Sequence, residues 1–554
     1  MEASWEAGLT EVRGSFWRRR RWVKWLAGVL LLALALAALL VNLGLQRAEP
    51  FLRARIVEAL ENRFHARVEL DGFRLSLIHG LSAEGRGLRI WSRTDQAEPL
   101  IRLDQFSFHA PLRYAPGKPI HISVVEVKGL SIHIPPKLHD ENASGVLASQ
   151  IAPAEKPRSA IAGLVSFDVD TMECTGADLL IETSKPGKLP MDFAIRHLKL
   201  TNISAGGAIG FDAELTNPRP TGAIKATGSF GPLIGTNFGE APVVGEYRFD
   251  HADLSGFNGI AGILTSTGRF QGTLRELIVD GETKTPDFRL THFGNPMPLS
   301  TRFHARVDGT NGDTWLEPVD ATLGHSHFIA QGQIERVAAV NSEGAPRFSG
   351  HDIALTVTMN GARIEDFLRL ASHSGNVLLT GDLVMQTTLH IPPGPAPVHQ
   401  RLELAGKFAL ENAQFTSQKI QKRIAELSLR GQGRPDELKT ADPASFFAQM
   451  KGDFRLADEV ITLPALKFEV PGAEIELKGA YQIEGGLLNF DGNARMEASV
   501  SRMVGGWKGL LISPADRFFK KDGAGTEVPI HIEGSREEPK FGIDFDRMKR
   551  QENP

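Results

Sequence analysis

Segment after segment of this 554-residue chain alternates apolar and polar side chains with a period of two. The pattern opens with Val68 and Leu70, then after Gly72 continues with Phe73, Leu75 and Leu77, while Glu69, Asp71, Arg74 and Ser76 face the other way. It returns at Ile101/Leu103, Phe106/Phe108, Ile120/Ile122/Val124, Ile132/Ile134, Phe167/Val169, Met191/Phe193/Ile195 and Phe211/Ala213/Leu215. Further on come Ile353/Leu355/Val357/Met359, Phe408/Leu410, Leu466/Phe468/Val470, Ile475/Leu477 and Val528/Ile530/Ile532. Successive side chains of a strand point to opposite faces, so this period predicts strands with a single apolar face. Such strands suit antiparallel sheet, because parallel strands covered on both sides read as unbroken apolar runs. The 56 Gly and 32 Pro supply the turns that many short strands need. Helical periods are few: Ile364 to Ala371, and Val500 to Phe519 with its stripe Met503, Val504, Trp507, Leu510 and Leu511. No repeat of fixed period is present, which argues against propellers and regular solenoids.

So many apolar faces must be covered by something. Closed sandwiches would bury them as ordinary core. One long curved sheet would instead line a continuous trough, which is costly to leave wet at about 25 cal/mol per Å² and would accept lipid tails. Periodicity alone leaves both readings open.

From Trp25 to Leu45 the chain carries no charged side chain, directly behind Arg18, Arg19, Arg20, Arg21 and Lys24. About 20 apolar residues span a hydrocarbon core as a helix. Positive charge stays on the cytoplasmic side, so the N-terminus is expected inside and the remainder outside. The run exceeds a signal-peptide core and no small-x-small site follows, so an uncleaved single-pass anchor is expected. Residues 1–21 then form a basic cytoplasmic tail and 22–45 the anchor, with Trp22, Trp25, Leu26 and Leu45 marking it. Within residues 46–66, Leu52, Ile56, Leu60 and Phe64 recur every four positions and predict an amphipathic helix at the membrane exit. Its stripe has two possible partners, the bilayer surface or the open end of a β structure, and the second is preferred. Residues 67–499 hold the strands and 500–554 a closing helix and strands. Gly145 to Arg158 and Pro392 to Pro397 read as loops.

Chemistry-bearing motifs are absent. There is no Gly-x-Ser-x-Gly, no phosphate-binding Gly-x-x-x-x-Gly-Lys and no His-Glu-x-x-His. His325-Ser326-His327 places two imidazoles on one strand face without the third ligand that a zinc site needs. Acidic pairs such as Asp168/Asp170 and Glu474/Glu476 occur on any solvated strand face. No catalytic residue, cofactor or metal is expected. A net charge of -4 gives no positive excess to attract nucleic acid. The single Cys, Cys174, excludes an intramolecular disulfide and reads as a small buried apolar residue.

The ends and middle of the chain carry a recognisable pattern. A basic N-terminus and one membrane helix lead through Leu52-x-x-x-Ile56-x-x-x-Leu60 into Arg67-Val68-x-Leu70-x-x-Phe73-x-Leu75-Ser76 and Gly80-Leu81-x-Ala83-x-Gly85-x-Gly87-Leu88. The middle has Thr216-Asn217-Pro218-x-Pro220, Gly228-x-Phe230-Gly231-Pro232 and Ala252-Asp253-Leu254-x-x-Phe257-x-Gly259-Ile260. The end has Gly505-Gly506-Trp507-Lys508, Pro529-Ile530-x-Ile532-x-Gly534-Ser535 and Pro539-x-Phe541. This combination resembles the AsmA family of bacterial envelope proteins, departing at His65-Ala66-Arg67, where a Thr-Gly-Arg-like turn is usual. AsmA-like proteins are similar to bridge-type lipid transfer proteins. The resemblance implies a mainly β fold in which an anchor precedes an elongated, curved, largely antiparallel, taco-like groove with a few short helices.

It further implies inner-membrane anchoring, a periplasmic body and phospholipid cargo moved toward the outer membrane to maintain its lipid balance. A partner in the periplasm or outer membrane would complete the crossing. About 30 strands would give a bridge on the order of 140 Å. Candidate groove residues are Val68, Leu70, Phe106, Phe108, Ile122, Val124, Phe193, Ile195, Leu355, Val357, Phe408, Leu410, Phe468, Ile475 and Leu477. The competing expectation is a scaffold that helps outer-membrane proteins assemble.

Overall fold

The structure, a computed structural model, is mainly β, with 68 % of its described residues in strands, and forms one large curved sheet. It describes residues 49–76, 81–91, 98–110, 120–135, 167–182, 190–203, 207–232, 238–340, 346–372, 377–499 and 526–543, apart from isolated positions. The expected anchor with Trp22, Trp25, Leu26 and Leu45, the loop Gly145 to Arg158 and nearly all of the helix expected over Val500 to Phe519 lie outside the described residues. Among the described residues, no helix is long and apolar enough to cross a membrane.

The described strands number 24 rather than 30. The first eight are β1 (Arg67–Ser76), β2 (Leu81–Trp91), β3 (Ile101–Ala110), β4 (Ile120–Ile134), β5 (Phe167–Ile181), β6 (Met191–Ile203), β7 (Ile209–Pro218) and β8 (Thr221–Phe230). Then come β9 (Pro242–Asp253), the two-residue β10 (Ile260–Ala261), β11 (Ile263–Thr273), β12 (Glu276–Leu290), β13 (Met297–Asp308), β14 (Asp313–Leu323), β15 (Ser326–Val340) and β16 (Pro346–Arg363). The last are β17 (Leu379–Ile391), β18 (Glu403–Phe415), β19 (Ala448–Ala457), β20 (Val460–Val470), β21 (Ala473–Gln482), β22 (Leu487–Met496), β23 (Thr526–Ser535) and β24 (Pro539–Ile543). Apart from the short β10, each strand pairs with its neighbours in sequence. All pairs are antiparallel except β4 with β5, which are parallel.

Curvature follows from bulges. Leu70 and Phe73, Leu103 and Phe106, Val127 and Leu130, and Cys174 and Ala177 are all buried although each pair is three residues apart. One extra residue per strand keeps both members on the same face, and a bulge bends the strand that carries it. The bulge in β4 pairs with Asp104 below it and uses Gly129 at φ +65, a backbone conformation that side chains rarely adopt. Register shifts recur through β11, β13, β14, β16, β18 and β20, so the bend is distributed along the sheet.

Helix α1 (residues 49–62) lies on the first strands. Leu52, Ile56, Val57, Leu60 and Phe64 pack against a core containing Val68, Leu70, Leu88 and Ile90. The helix therefore covers the end of the β structure, as preferred on sequence grounds. Its polar residues also occupy the free edge of β1: Leu75 N–H donates to Glu49 Oε1 at 3.0 Å, and Arg53 Nε donates to the Leu70 carbonyl at 3.0 Å. An exposed strand edge is a template for aggregation, and here it is hydrogen-bonded within the chain.

Three further helices follow among the described residues: α2 (Ile364–Leu370), α3 (Val398–Arg401) and α4 (Gln418–Gly431). Ile364 and Phe367 of α2, and Ile424 and Leu427 of α4, pack on a second core built from Val357, Leu383, Leu410, Phe468 and Val470. Helix α4 is tied to the sheet by Gln421, which receives the Phe415 N–H at 3.0 Å and donates to the Pro443 and Phe446 carbonyls at 2.9 and 2.7 Å.

Candidate functional site

Residue-by-residue pairing joins the apolar faces into rows that run across the whole sheet. One row begins Leu70, Leu88, Leu103, Leu130, Ala177, Ile195, Leu215, Ile224 and Phe249. It continues Ser266, Thr283, Thr301, Ala321, Phe328, Met359, Met385 and Phe408. It ends Gly452, Leu466, Leu477, Gly492, Ile530 and Ile543. A second row passes from Phe73 through Phe106, Tyr247, Phe303 and Val357 to Phe454. A third, carrying no charged or hydroxyl group but Tyr481, runs from Leu75 through Phe108, Phe211, Phe270, Leu355 and Leu404 to Leu488. The sheet is a single layer over much of its length, yet this face is the sheltered one. Curling toward it is what shelters it.

The sequence candidates fall on these rows or beside them. Leu70, Ile195, Phe408 and Leu477 share the first row, Phe106 and Val357 the second, and Phe108 and Leu355 the third. Val68 and Phe193 belong to a shorter row through Ile90, Ile101, Ile132 and Leu179. Leu410, Phe468 and Ile475 belong to another, through Met450. Ile122 pairs with Val169 and is buried. Val124 does not line the groove. It is 42 % exposed, because an irregularity at Ser123 moves it outward and gives its inward place to Val125.

The rows are not equally open. Over β1–β7 they close into a packed core beneath α1, where Leu70, Ile122, Val127 and Cys174 are all under 4 % exposed. Burial pushes the Cys174 thiol up to about 11, so it stays neutral in this apolar setting. A second packed region lies under α2 and α4. Between them, over β8–β12, Ile224, Tyr247, Phe249, Phe270 and Val279 are only half-buried.

This middle section pairs aromatic rings with glycines, a pattern absent from the candidates above. Gly281 sits beside Phe303 in register, and a Cβ there would come within 2.8 Å of both the Phe303 ring and Tyr247 Oη. The missing side chain lets the rings lie down against the floor, as aromatics do over sheet glycines. The signal was the alternation Gly245-x-Tyr247-x-Phe249, in which glycine dilutes the apolar count. Here too the first row turns polar. Ser266 Oγ lies 3.0 Å from Tyr247 Oη and donates to the Glu282 carbonyl at 3.0 Å, and the Thr283 and Thr301 hydroxyls are 2.8 Å apart. Burial raises the Tyr247 phenol above its ordinary range, against the opposing pull of Ser266.

The opposite face is charged. Arg269 meets Glu246 at 3.1 Å, and Lys467 lies 2.7 Å from Glu469 and 2.8 Å from Glu474. Such exposed pairs add little stability individually but keep this face wetted. Two histidines on it report pH. Hydrogen bonds to Glu403 and Asp352 raise His390 above its ordinary value, and Asp491 followed by Glu533 does so for His531. A raised folded-state value means the stabilisation is fully present below the unfolded His range near 6.5 and lost as pH climbs through the higher folded value. Denaturant midpoints are therefore expected to fall slightly between pH 6 and 8, and His390→Gln with His531→Gln should flatten that slope.

His325 and His327 each face a carboxylate, Asp366 at 3.7 Å and Asp320 at 3.6 Å. Among the described residues no group of three or more His, Cys, Asp or Glu converges as a metal site. No family model, no curated protein and no solved structure matches the chain.

Proposed function

We propose that the chain is a non-enzymatic phospholipid conduit, anchored in a bacterial inner membrane by residues 22–45 and carrying lipid along a taco-like periplasmic groove toward the outer membrane. The observation that supports this reading is that rows of mainly apolar residues pair across the sheet from its first strands to its last, interrupted by a hydroxyl patch at Ser266, Thr283 and Thr301, while most charged side chains lie on the other face. Acyl chains lie along Phe249, Phe270, Leu355 and Phe408, while headgroups stay near the rims. At about 4.8 Å per strand, the described sheet spans on the order of 110 Å of contour. The resemblance to AsmA proteins, drawn from the turn and alternation pattern, supports the same reading.

The experiment compares inward and outward neighbours. A photo-reactive phenylalanine analogue replaces Tyr247 or Phe408 on the apolar face, and Arg269 or Lys407 on the charged face. Irradiated full-length protein is expected to carry phospholipid-mass adducts at the first pair alone. No adduct at either inward position would return the apolar face to the role of a closed core. That outcome would favour the envelope scaffold, a role for which the packed core over β1–β7 is the supporting feature.

A further inference from the structure

Hairpin turns alternate between two rims of the sheet. One rim carries residues 254–259 and 291–296, and the other carries 309–312 and 392–402. On a flat sheet, turns five to seven strands apart lie about 24 to 34 Å from each other. Here they touch at two places. Val398 N–H donates to the Asn258 carbonyl at 3.0 Å, and Asn258 Nδ2 donates to the Pro395 carbonyl at 2.7 Å, across 137 residues of chain. Beside them His292 stacks on His399 with ring centroids 4.5 Å apart, and Phe257 stands edge-on to His351 at 6.0 Å. Gly259 has φ +105, and a Cβ there would meet the Val398 nitrogen at 2.5 Å, so this approach requires glycine. Six to eight strands separate the second contact as well, where Arg336 Nη2 donates to the Pro190 carbonyl at 3.3 Å and Met191 lies against Gly312.

We infer that the groove is clasped shut by its own rims, so that β10–β17 wall a closed tube through which an amphiphile passes lengthwise and not sideways. The inference rests on the lipid reading for its cargo, and on rim geometry alone for the closure. Both contacts join one rim to the other with nearly the same strand offset, which is what a sheet winding through one turn produces. Burial, and then the neighbouring His292, hold His399 below its ordinary value, in keeping with a seam that excludes water. The tube encloses the hydroxyl patch of Ser266, Thr283 and Thr301, placing the one polar interruption of the first row where bulk water does not compete.

The test locks the clasp. His292→Cys with His399→Cys in the full-length chain is treated with a short bis(methanethiosulfonate) linker, which forms a disulfide at each Cys with loss of methanesulfinate and is cleaved by reductant, Cys174 being buried and left in place. The protein is reconstituted in phosphatidylethanolamine and phosphatidylglycerol vesicles, and transfer of a fluorescent phosphatidylethanolamine to acceptor vesicles is followed. The linker is expected to close within each molecule, and the locked protein is expected to transfer at the unlocked rate. Absence of the intramolecular link would show the rims apart and overturn the clasp. Transfer lost on locking and restored on cleaving the linker would show that the rims must part, and would overturn lengthwise passage. Absence of transfer in both states would instead count against the lipid reading, while the linking yield still decides the clasp. Val398→Pro, which removes the donor to Asn258, is expected to lower that yield without unfolding the sheet.

Discussion

Phe270→Asp combined with Val279→Asp is expected to abolish phospholipid capture while leaving the sheet assembled. Both residues stand on the third row, paired in register and half-buried, and belong to neither packed cluster. A carboxylate set among acyl chains loses water without gaining a partner, at several kcal/mol for each site. Two such sites lower affinity by on the order of ten-thousandfold. The adduct yield at Tyr247 reads this directly, with circular dichroism as the check on folding. Arg269→Ala, one residue from Phe270 on the charged face, should leave capture intact. Parent-like adducts in the double variant would remove the groove as the lipid path. Val357→Asp is unsuitable for the same purpose, since Val357 is 5 % exposed within the second core and its replacement would unfold that region.

The largest stability loss from one side chain is expected at Asp366, which is 1 % exposed at the start of α2. Its Oδ2 accepts from the His325 N–H and the Ser326 hydroxyl, both at 2.8 Å, and Ser326 Oγ in turn accepts the Arg363 N–H at 2.9 Å. One carboxylate thus ties the β14–β15 turn to the β16–α2 junction. Asp366→Ala strands buried donors and should cost about 3 kcal/mol, read as a drop in the urea midpoint. Asp366→Asn keeps one acceptor and should lose less. A loss below about 1 kcal/mol for the alanine variant would mean that the turn holds itself without this link.

Strand period two was legible in many segments, and the alternating sets from Val68/Leu70 to Val528/Ile530 lie in strands, with Leu77 outside the described residues, but β13 and β15 were not picked out although Phe303 and Phe328 are large. Phase was less legible, because a bulge shifts the alternation by one residue without changing composition. Val124 shows the consequence. Helix α4 escaped attention although Ile420, Ile424 and Leu427 mark its apolar side, since its short stripe sits between strands of similar hydropathy. The aromatic and glycine section over β8–β12 was hidden for a different reason: glycine contributes space rather than apolarity. Glu49 and Arg53 read as ordinary helix surface, and only the edge of β1 beside them reveals what they hold. Contacts between Asn258 and Pro395 have no local signature at all, since they depend on the summed curvature of seven strands.

Neighbour-to-neighbour pairing also bears on how such a chain grows. Each hairpin from β5 onward needs only the strand just before it, so the sheet can assemble in the order in which residues emerge, with little loop-closure entropy at any step. The same economy makes length adjustable: duplicating one hairpin adds about 10 Å of sheet and leaves every other register untouched. The parallel junction of β4 with β5 is the exception, since it must wait for the crossover to fold back. It divides the molecule into a starter piece, finished under α1, and an extensible piece whose strand number acts as a ruler.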